Sequence, residues 1–106
     1  MPKYLLKAAY GPDGVSGVMK EGGTGRRDAV EKLVANLGGS LESFHFAFGD
    51  VDAYVIVDLP DNKTAAAVAL TVNANTAVGV ETIVLMTPEE VDEATKTSVD
   101  YRAPGA

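Results

Sequence analysis

Three side chains of this sequence have the types needed for acid–base chemistry on a small organic molecule. His45 is the only histidine, and an imidazole near its usual pKa can move a proton at neutral pH. Tyr54 can orient a substrate or donate a hydrogen bond, and Lys7 can stabilise an anion. Catalysis requires these three side chains to converge around a pocket. A histidine that is hydrogen-bonded across the sheet within an interface is the plainer explanation of His45, and the catalytic interpretation is kept as the alternative.

The glycine-rich segment 22–27 is a second candidate, for binding a small anion. A hydroxyl and two guanidinium groups near a helix start, at Thr24, Gly25, Arg26 and Arg27, are suited to phosphate or carboxylate. The lysine and spacing of a Walker A motif are missing. A kink between two helical pieces, with the arginines paired to acidic residues of a neighbouring chain, is the alternative explanation.

Four aspartates form a third candidate group. Asp50, Asp52, Asp58 and Asp61 lie within twelve residues of one another, and paired carboxylates can share a proton or hold a hard cation. Asp50 and Asp52 also suit a turn, because aspartate side chains accept hydrogen bonds from nearby backbone N–H groups. One histidine and no cysteine give no basis for a zinc site within one chain. The sequence therefore predicts no metal and leaves any cofactor undetermined.

The composition excludes several functional classes. With 106 residues and 46% hydrophobic content, the chain fits one folded domain. Acidic residues outnumber basic ones 15 to 9, which argues against a general nucleic-acid binder. No apolar run approaches the ~20 residues that span a bilayer, and no signal-peptide core precedes the first strand. We therefore expect a cytoplasmic protein with no membrane or nucleic-acid partner.

The hydrophobic pattern predicts the elements that position these residues. Strands are expected at Tyr4–Tyr10, on both sides of the turn at 49–52, and at Val80–Met86. A short helical turn is expected at 15–21. The main helix is expected to follow an N-cap at Thr24 and to end at Gly38-Gly39. Two more helices are expected, one over 63–76 and one that begins at a capping box at Thr87. The order predicts a ferredoxin-like α+β fold, β-α-β-β-α-β, with strand order 4-1-3-2, helices on one face of an antiparallel sheet, and a short C-terminal helix and tail.

Alternation along the strands predicts which side chains face away from the helices. Ala53, Val55, Val57 and Leu59 form an apolar set suited to the helix side. If the three phenylalanines Phe44, Phe46 and Phe48 also face the helices, His45 and Ser43 lie on the other face. That face would hold Lys7, His45, Tyr54, Ile56 and Leu5. It is too apolar to be bare, so we expect copies of the chain to associate there and to enclose a small-molecule site between them.

The residues placed so far resemble the GYD-domain family over nearly the whole length. The resemblance rests on segments at the first strand, before and after the main helix, in the hairpin and beyond it: Lys3-Tyr4-Leu5-Leu6, Gly22-Gly23-Thr24-Gly25-Arg26-Arg27, Leu37-Gly38-Gly39, Phe46-Ala47-Phe48-Gly49-Asp50-Val51-Asp52 and Ile56-Val57-Asp58-Leu59-Pro60-Asp61. Val51 replaces the tyrosine of the family's Gly-x-Tyr-Asp pattern, so any role of that hydroxyl is absent. The family is similar in fold to dimeric α/β-barrel proteins and has no settled activity. The resemblance therefore implies fold and assembly rather than a reaction.

Two functional interpretations follow from the sequence. The first is a non-enzymatic homo-oligomer, dimeric or larger, that binds a small molecule between subunits. The second is a small enzyme of the dimeric α/β-barrel kind, in which His45 moves the proton, Tyr54 orients or donates, and Lys7 stabilises an anion.

Overall fold

A computed structural model describes all residues, 1–106, and contains one four-stranded sheet and three helices. The elements in chain order are β1 (Lys3–Tyr10), α1 (Pro12–Asn36), β2 (Ser40–Phe46), β3 (Ala53–Asp58), α2 (Asn62–Ala74), β4 (Val78–Leu85) and α3 (Pro88–Thr95). The sheet order is β2-β3-β1-β4, and every neighbouring pair is antiparallel. The predicted ferredoxin-like fold and strand order are confirmed. No helix combines the length and apolar character needed to cross a bilayer.

The core lies between one face of the sheet and the helices. Tyr4, Leu6 and Ala8 of β1 are buried there, as are Ala53, Val55, Val57 and Leu59. Val34 from α1 and Ala65 from α2 complete the buried cluster. The predicted helix-side sets of β1 and β3 are confirmed, because alternation in a strand leaves only one arrangement that buries the all-apolar set.

The first helix begins earlier than the sequence predicts and is kinked. Residues 12–36 form one helical segment, interrupted at Gly22, whose φ of 79° lies in the left-handed region. Gly11 is the N-cap, and Pro12 occupies the first turn, where a missing N–H costs nothing. The prediction that Thr24 caps the main helix is wrong, since Thr24 lies inside the second helical piece. Gly38, with φ of 82°, ends the helix as predicted.

Side-chain caps fix the starts of the other two helices. The Asp61 carboxylate accepts hydrogen bonds from the backbone N–H and the hydroxyl of Thr64, at 2.8 and 2.7 Å. These bonds lower the pKa of Asp61 below its usual value. At α3, Thr87 and Glu90 form the predicted capping box, with Pro88 in the first turn.

The C-terminal helix and tail project from the body. Every residue of 88–106 is exposed, and the molecule measures 56 Å along its longest axis. The radius of gyration of 16.9 Å exceeds the ~13 Å of a compact domain of this size. The segment 88–106, called the C-terminal arm below, is therefore available to a second molecule.

We expect Leu59→Ala to lower the free energy of unfolding by about 2–5 kcal/mol, because Leu59 is only 1% exposed and its truncation leaves a cavity. Leu70→Ala is the control, since Leu70 is 73% exposed on α2 and its truncation should change stability by less than about 0.5 kcal/mol. Urea unfolding of both variants measures this difference. Equal losses would contradict the placement of the core.

We expect the stabilising effect of the Tyr4 hydroxyl to decrease at alkaline pH. The hydroxyl donates to Asn62 Oδ1 at 2.6 Å, and burial, then the Asp61 charge, raise the pKa of Tyr4. Because the folded-state pKa is the higher one, its contribution is complete below about pH 10 and is lost as the pH rises through the folded pKa.

Urea unfolding of the wild type and Tyr4→Phe at pH 8 and pH 11 tests this expectation. At pH 8 the wild type should be more stable by about 1 kcal/mol, the typical net value of one hydrogen bond. At pH 11 the difference should shrink. A difference that stays constant or grows would show that the Tyr4 pKa is not raised.

Candidate functional site

Strand pairing places the three predicted catalytic residues in one row across the sheet. Lys7 of β1 stands opposite Tyr54 of β3, and Tyr54 stands opposite His45 of β2. All three lie on the face turned away from the helices, called the open face below. Directly paired residues have Cβ atoms about 4.5–5.5 Å apart, so neighbouring side chains of this row are within reach of each other.

Glu81 extends the same row and was missed from the sequence. It stands opposite Lys7 on β4, and its carboxylate lies 3.9 Å from the Lys7 ammonium. The alternation of Gly79, Glu81 and Ile83 in β4 is the signal that places Glu81 on the open face. Lys7 therefore has a counter-ion within its own chain, and the row reads Glu81, Lys7, Tyr54, His45 from edge to edge.

The row is an accessible surface within one subunit. His45 is exposed, and Tyr54 is 41% exposed. The four main cavities of the molecule are lined by other residues than Lys7, Tyr54 and His45. One copy of the chain thus aligns the three side chains but does not enclose them.

An apolar row lies next to the polar one. Leu5 of β1 stands opposite both Ile56 of β3 and Ile83 of β4. All three are only half-buried, because no helix covers this side. The open face therefore carries an aliphatic band across its three adjoining strands.

A charged cluster borders the apolar row on its other side. The Lys3 ammonium donates to Glu42 Oε1 at 2.7 Å and to Asp58 Oδ1 at 3.0 Å. These two hydrogen bonds, Glu42 first, raise the pKa of Lys3. Glu42 reaches this face because β2 has a register shift between Leu41 and Ser43, which inserts an extra residue.

The prediction that the phenylalanines face the helices is right for two of the three, although Phe46 remains 40% exposed and is not a core residue. Phe44 and Phe46 stand opposite Val55 and Ala53, on the helix side, and their rings are 5.0 Å apart. Phe48 is fully exposed, because β2 ends at Phe46 and the chain leaves the sheet before position 48. Placing Phe48 in the core was wrong, while His45 and Ser43 lie on the open face as expected.

Three of the four aspartates have separate structural roles. Asp52 accepts a hydrogen bond from the Tyr10 backbone N–H at 2.7 Å, joining the hairpin to the end of β1. Asp58 pairs with Lys3, Asp61 caps α2, and Asp50 is exposed in the turn. No three His, Asp or Glu side chains lie close enough together to hold a metal ion.

The predicted anion-binding segment is spread around the second piece of α1. Thr24 is exposed, and Arg27 lies beside Asp28, with Nη2 and Oδ1 3.4 Å apart. Gly25 and Arg26 are half-buried. Arg26 is the only one of the four predicted residues that lines any of the main cavities, and it lines two cavities beneath the helices. Successive helical residues point about 100° apart, so Arg26 and Arg27 cannot serve one ligand without rearrangement.

Comparison with known proteins identifies a family but no relative of known activity. The family model described as GYD domain matches residues 4–95, which is nearly the whole chain. No curated protein and no solved structure shows significant similarity to the chain. On the strength of that match, the chain belongs to the GYD-domain family.

Proposed function

We propose that the protein is a cytoplasmic homo-oligomer in which two copies pack through their open faces and bind a small molecule between them. The observation that supports this best is the aliphatic band of Leu5, Ile56 and Ile83. These side chains stand on a face that the chain's own helices do not cover. An antiparallel sheet with one solvated face normally alternates apolar and polar residues, so an apolar band on the second face favours a second layer.

The arrangement of the open face suits a twofold contact. The apolar band lies between the polar row of Lys7 and the charged cluster of Lys3. A second copy related by twofold symmetry presents the same three bands and can bury the aliphatic one while ion pairs stay at the margins. Each copy carries both positive and negative side chains beside its aliphatic band, so charges of one copy can face opposite charges of the other.

The row of Lys7, Tyr54 and His45 gives such an interface a polar interior. A second sheet packed about 10 Å away encloses these side chains. An imidazole, a phenol and an ammonium group together recognise a small oxygenated or aromatic molecule by hydrogen bonding and charge. The binding site is therefore incomplete in one subunit.

A catalytic role is the second candidate, because the register aligns the three residues that acid–base chemistry needs. In this role His45 transfers the proton, Tyr54 orients or donates to the substrate, and Lys7 stabilises a developing anion. The ion pair of Lys7 with Glu81 weakens that last contribution. Enclosure by a second copy is required here as well, since catalysis benefits from exclusion of water.

We expect sedimentation of the wild type at micromolar concentration to give twice the chain mass of 11.0 kDa, or a higher multiple. Ile56→Lys places a charge in the aliphatic band and should sediment as a monomer, with circular dichroism confirming that it is folded. Leu70→Lys, on exposed α2 at the other side of the sheet, should keep the wild-type mass. A monomeric wild type would refute the assembly.

We expect a thermal-shift screen of small aromatic and oxygenated acids to identify compounds that stabilise the wild type but not His45→Ala or Lys7→Met. A ligand that binds only the folded oligomer raises its midpoint in proportion to the logarithm of its concentration. Arg102→Gln, in the C-terminal arm, is the matched control and should respond like the wild type. If every stabilising compound acts equally on His45→Ala, the site between subunits is wrong, although the assembly itself can still be correct.

A further inference from the structure

A groove separates the two long helices on the other side of the sheet. Leu33 and Leu37 of α1 face Ala67, Val68 and neighbouring residues of α2 across a cavity of about 450 Å³. Leu33 and Leu37 stay about two-fifths exposed, although both belong to the apolar stripe of their helix. The small side chain of Ala67 on α2 does not fill the space.

A second cavity adjoins the groove on the side of the protein interior. This narrower cavity of about 60 Å³ shares Leu33, Val68 and Val72 with the groove, and is lined by hydrophobic side chains and one arginine. A third cavity of about 320 Å³, at the start of α1, shares Val72 and Arg26 with the narrow one. The three spaces share lining residues and lie side by side between the helices and the sheet, apolar at one end and polar at the other; together they are called the channel below.

Arg26 is the charged group at the junction. Its side chain is half-buried, and the ion pairs of the chain all involve other residues. No carboxylate lies within ion-pair distance of this guanidinium, so it is free to bind a ligand carboxylate, whose two oxygens fit its paired donors. The Arg26 charge thus complements an acidic head group, and the apolar cavity beside it complements an apolar chain attached to that group.

Two acidic residues limit the charge of the ligand. Asp13 and Glu21 line the polar cavity but not the narrow apolar one, so they stand on the outer side of Arg26. A head group with two or more negative charges extends toward these carboxylates and is repelled, as is any nucleotide. A single carboxylate fits between Arg26 and the apolar cavity.

We propose that this channel binds a medium-chain carboxylic acid, with its alkyl chain between α1 and α2 and its carboxylate on Arg26. The site is independent of the open face, because the sheet lies between them. Apolar pockets of several hundred Å³ with one or two placed polar groups are typical of small-molecule sites. The glycine-rich segment then acts through Arg26, as the anchor for a carboxylate rather than for phosphate.

Titration of ¹⁵N-labelled protein with octanoate, followed by amide chemical shifts, tests the proposal. Saturable shifts should cluster at the facing residues of α1 and α2. Arg26→Gln should weaken octanoate binding by about 10- to 100-fold, the loss expected for a charge-assisted hydrogen bond. Octanol should bind the wild type and Arg26→Gln equally, because it lacks the charge.

Two matched pairs separate the channel from a general effect. Ala67→Leu fills the groove and should weaken binding at least tenfold, whereas Ala66→Leu, an equally exposed change one residue away on α2, should leave it unchanged. Arg27→Gln, next to Arg26 but beside Asp28, should also bind like the wild type.

Three results would overturn the proposal. The first is an absence of saturable shifts up to about 1 mM octanoate, which corresponds to a binding free energy weaker than about −4 kcal/mol. The second is tighter binding of octylammonium than of octanoate, which would assign the polar end to Asp13 and Glu21. The third is a set of shifts confined to the open face, which would assign the ligand to the oligomer interface instead.

Discussion

The sheet of this protein is covered on one face only, and the other features follow from that constraint. Two helices of the β-α-β-β-α-β order pack on the side of Val55 and Val57, where alternation buries Ala53, Val55 and Val57 of β3. The opposite side keeps Leu5, Ile56 and Ile83 half-exposed. One chain has no further element to place there, since its C-terminal arm projects away from the body. The proposed association of copies would resolve this imbalance without any change in the fold.

The register of the strands aligns the residues of a potential site on the uncovered face of the sheet. Lys7, Tyr54 and His45 come from three strands that are distant in sequence, yet antiparallel pairing sets them side by side. A shift of one residue in any strand would send its member of the row into the core. The buried apolar residues of β3 therefore position Tyr54 and its neighbours, although they face the opposite side of the sheet.

The sequence predicted the sheet well because its signals are local and periodic. Alternation gave the helix-side residues of β1 and β3, and the Thr87 capping box located α3. The start of α1 was missed, because Pro12 and Gly14 favour a turn as much as a first helical turn. The burial of Phe48 was overestimated, because composition does not show where a strand leaves its sheet. The pairing of Glu81 with Lys7 and the channel at Arg26 depend on strand register and helix spacing, which no local pattern encodes.

Distances between labels on different copies test the central claim most directly. The chain has no cysteine, so Ser40→Cys on the open face and Ala66→Cys on the helix side each give one spin-label site. Packing through the open faces predicts shorter intermolecular distances from position 40, since two helix layers of about 10 Å each separate the labels at position 66 further. Shorter distances from position 66, or no intermolecular coupling at either position, would contradict the account.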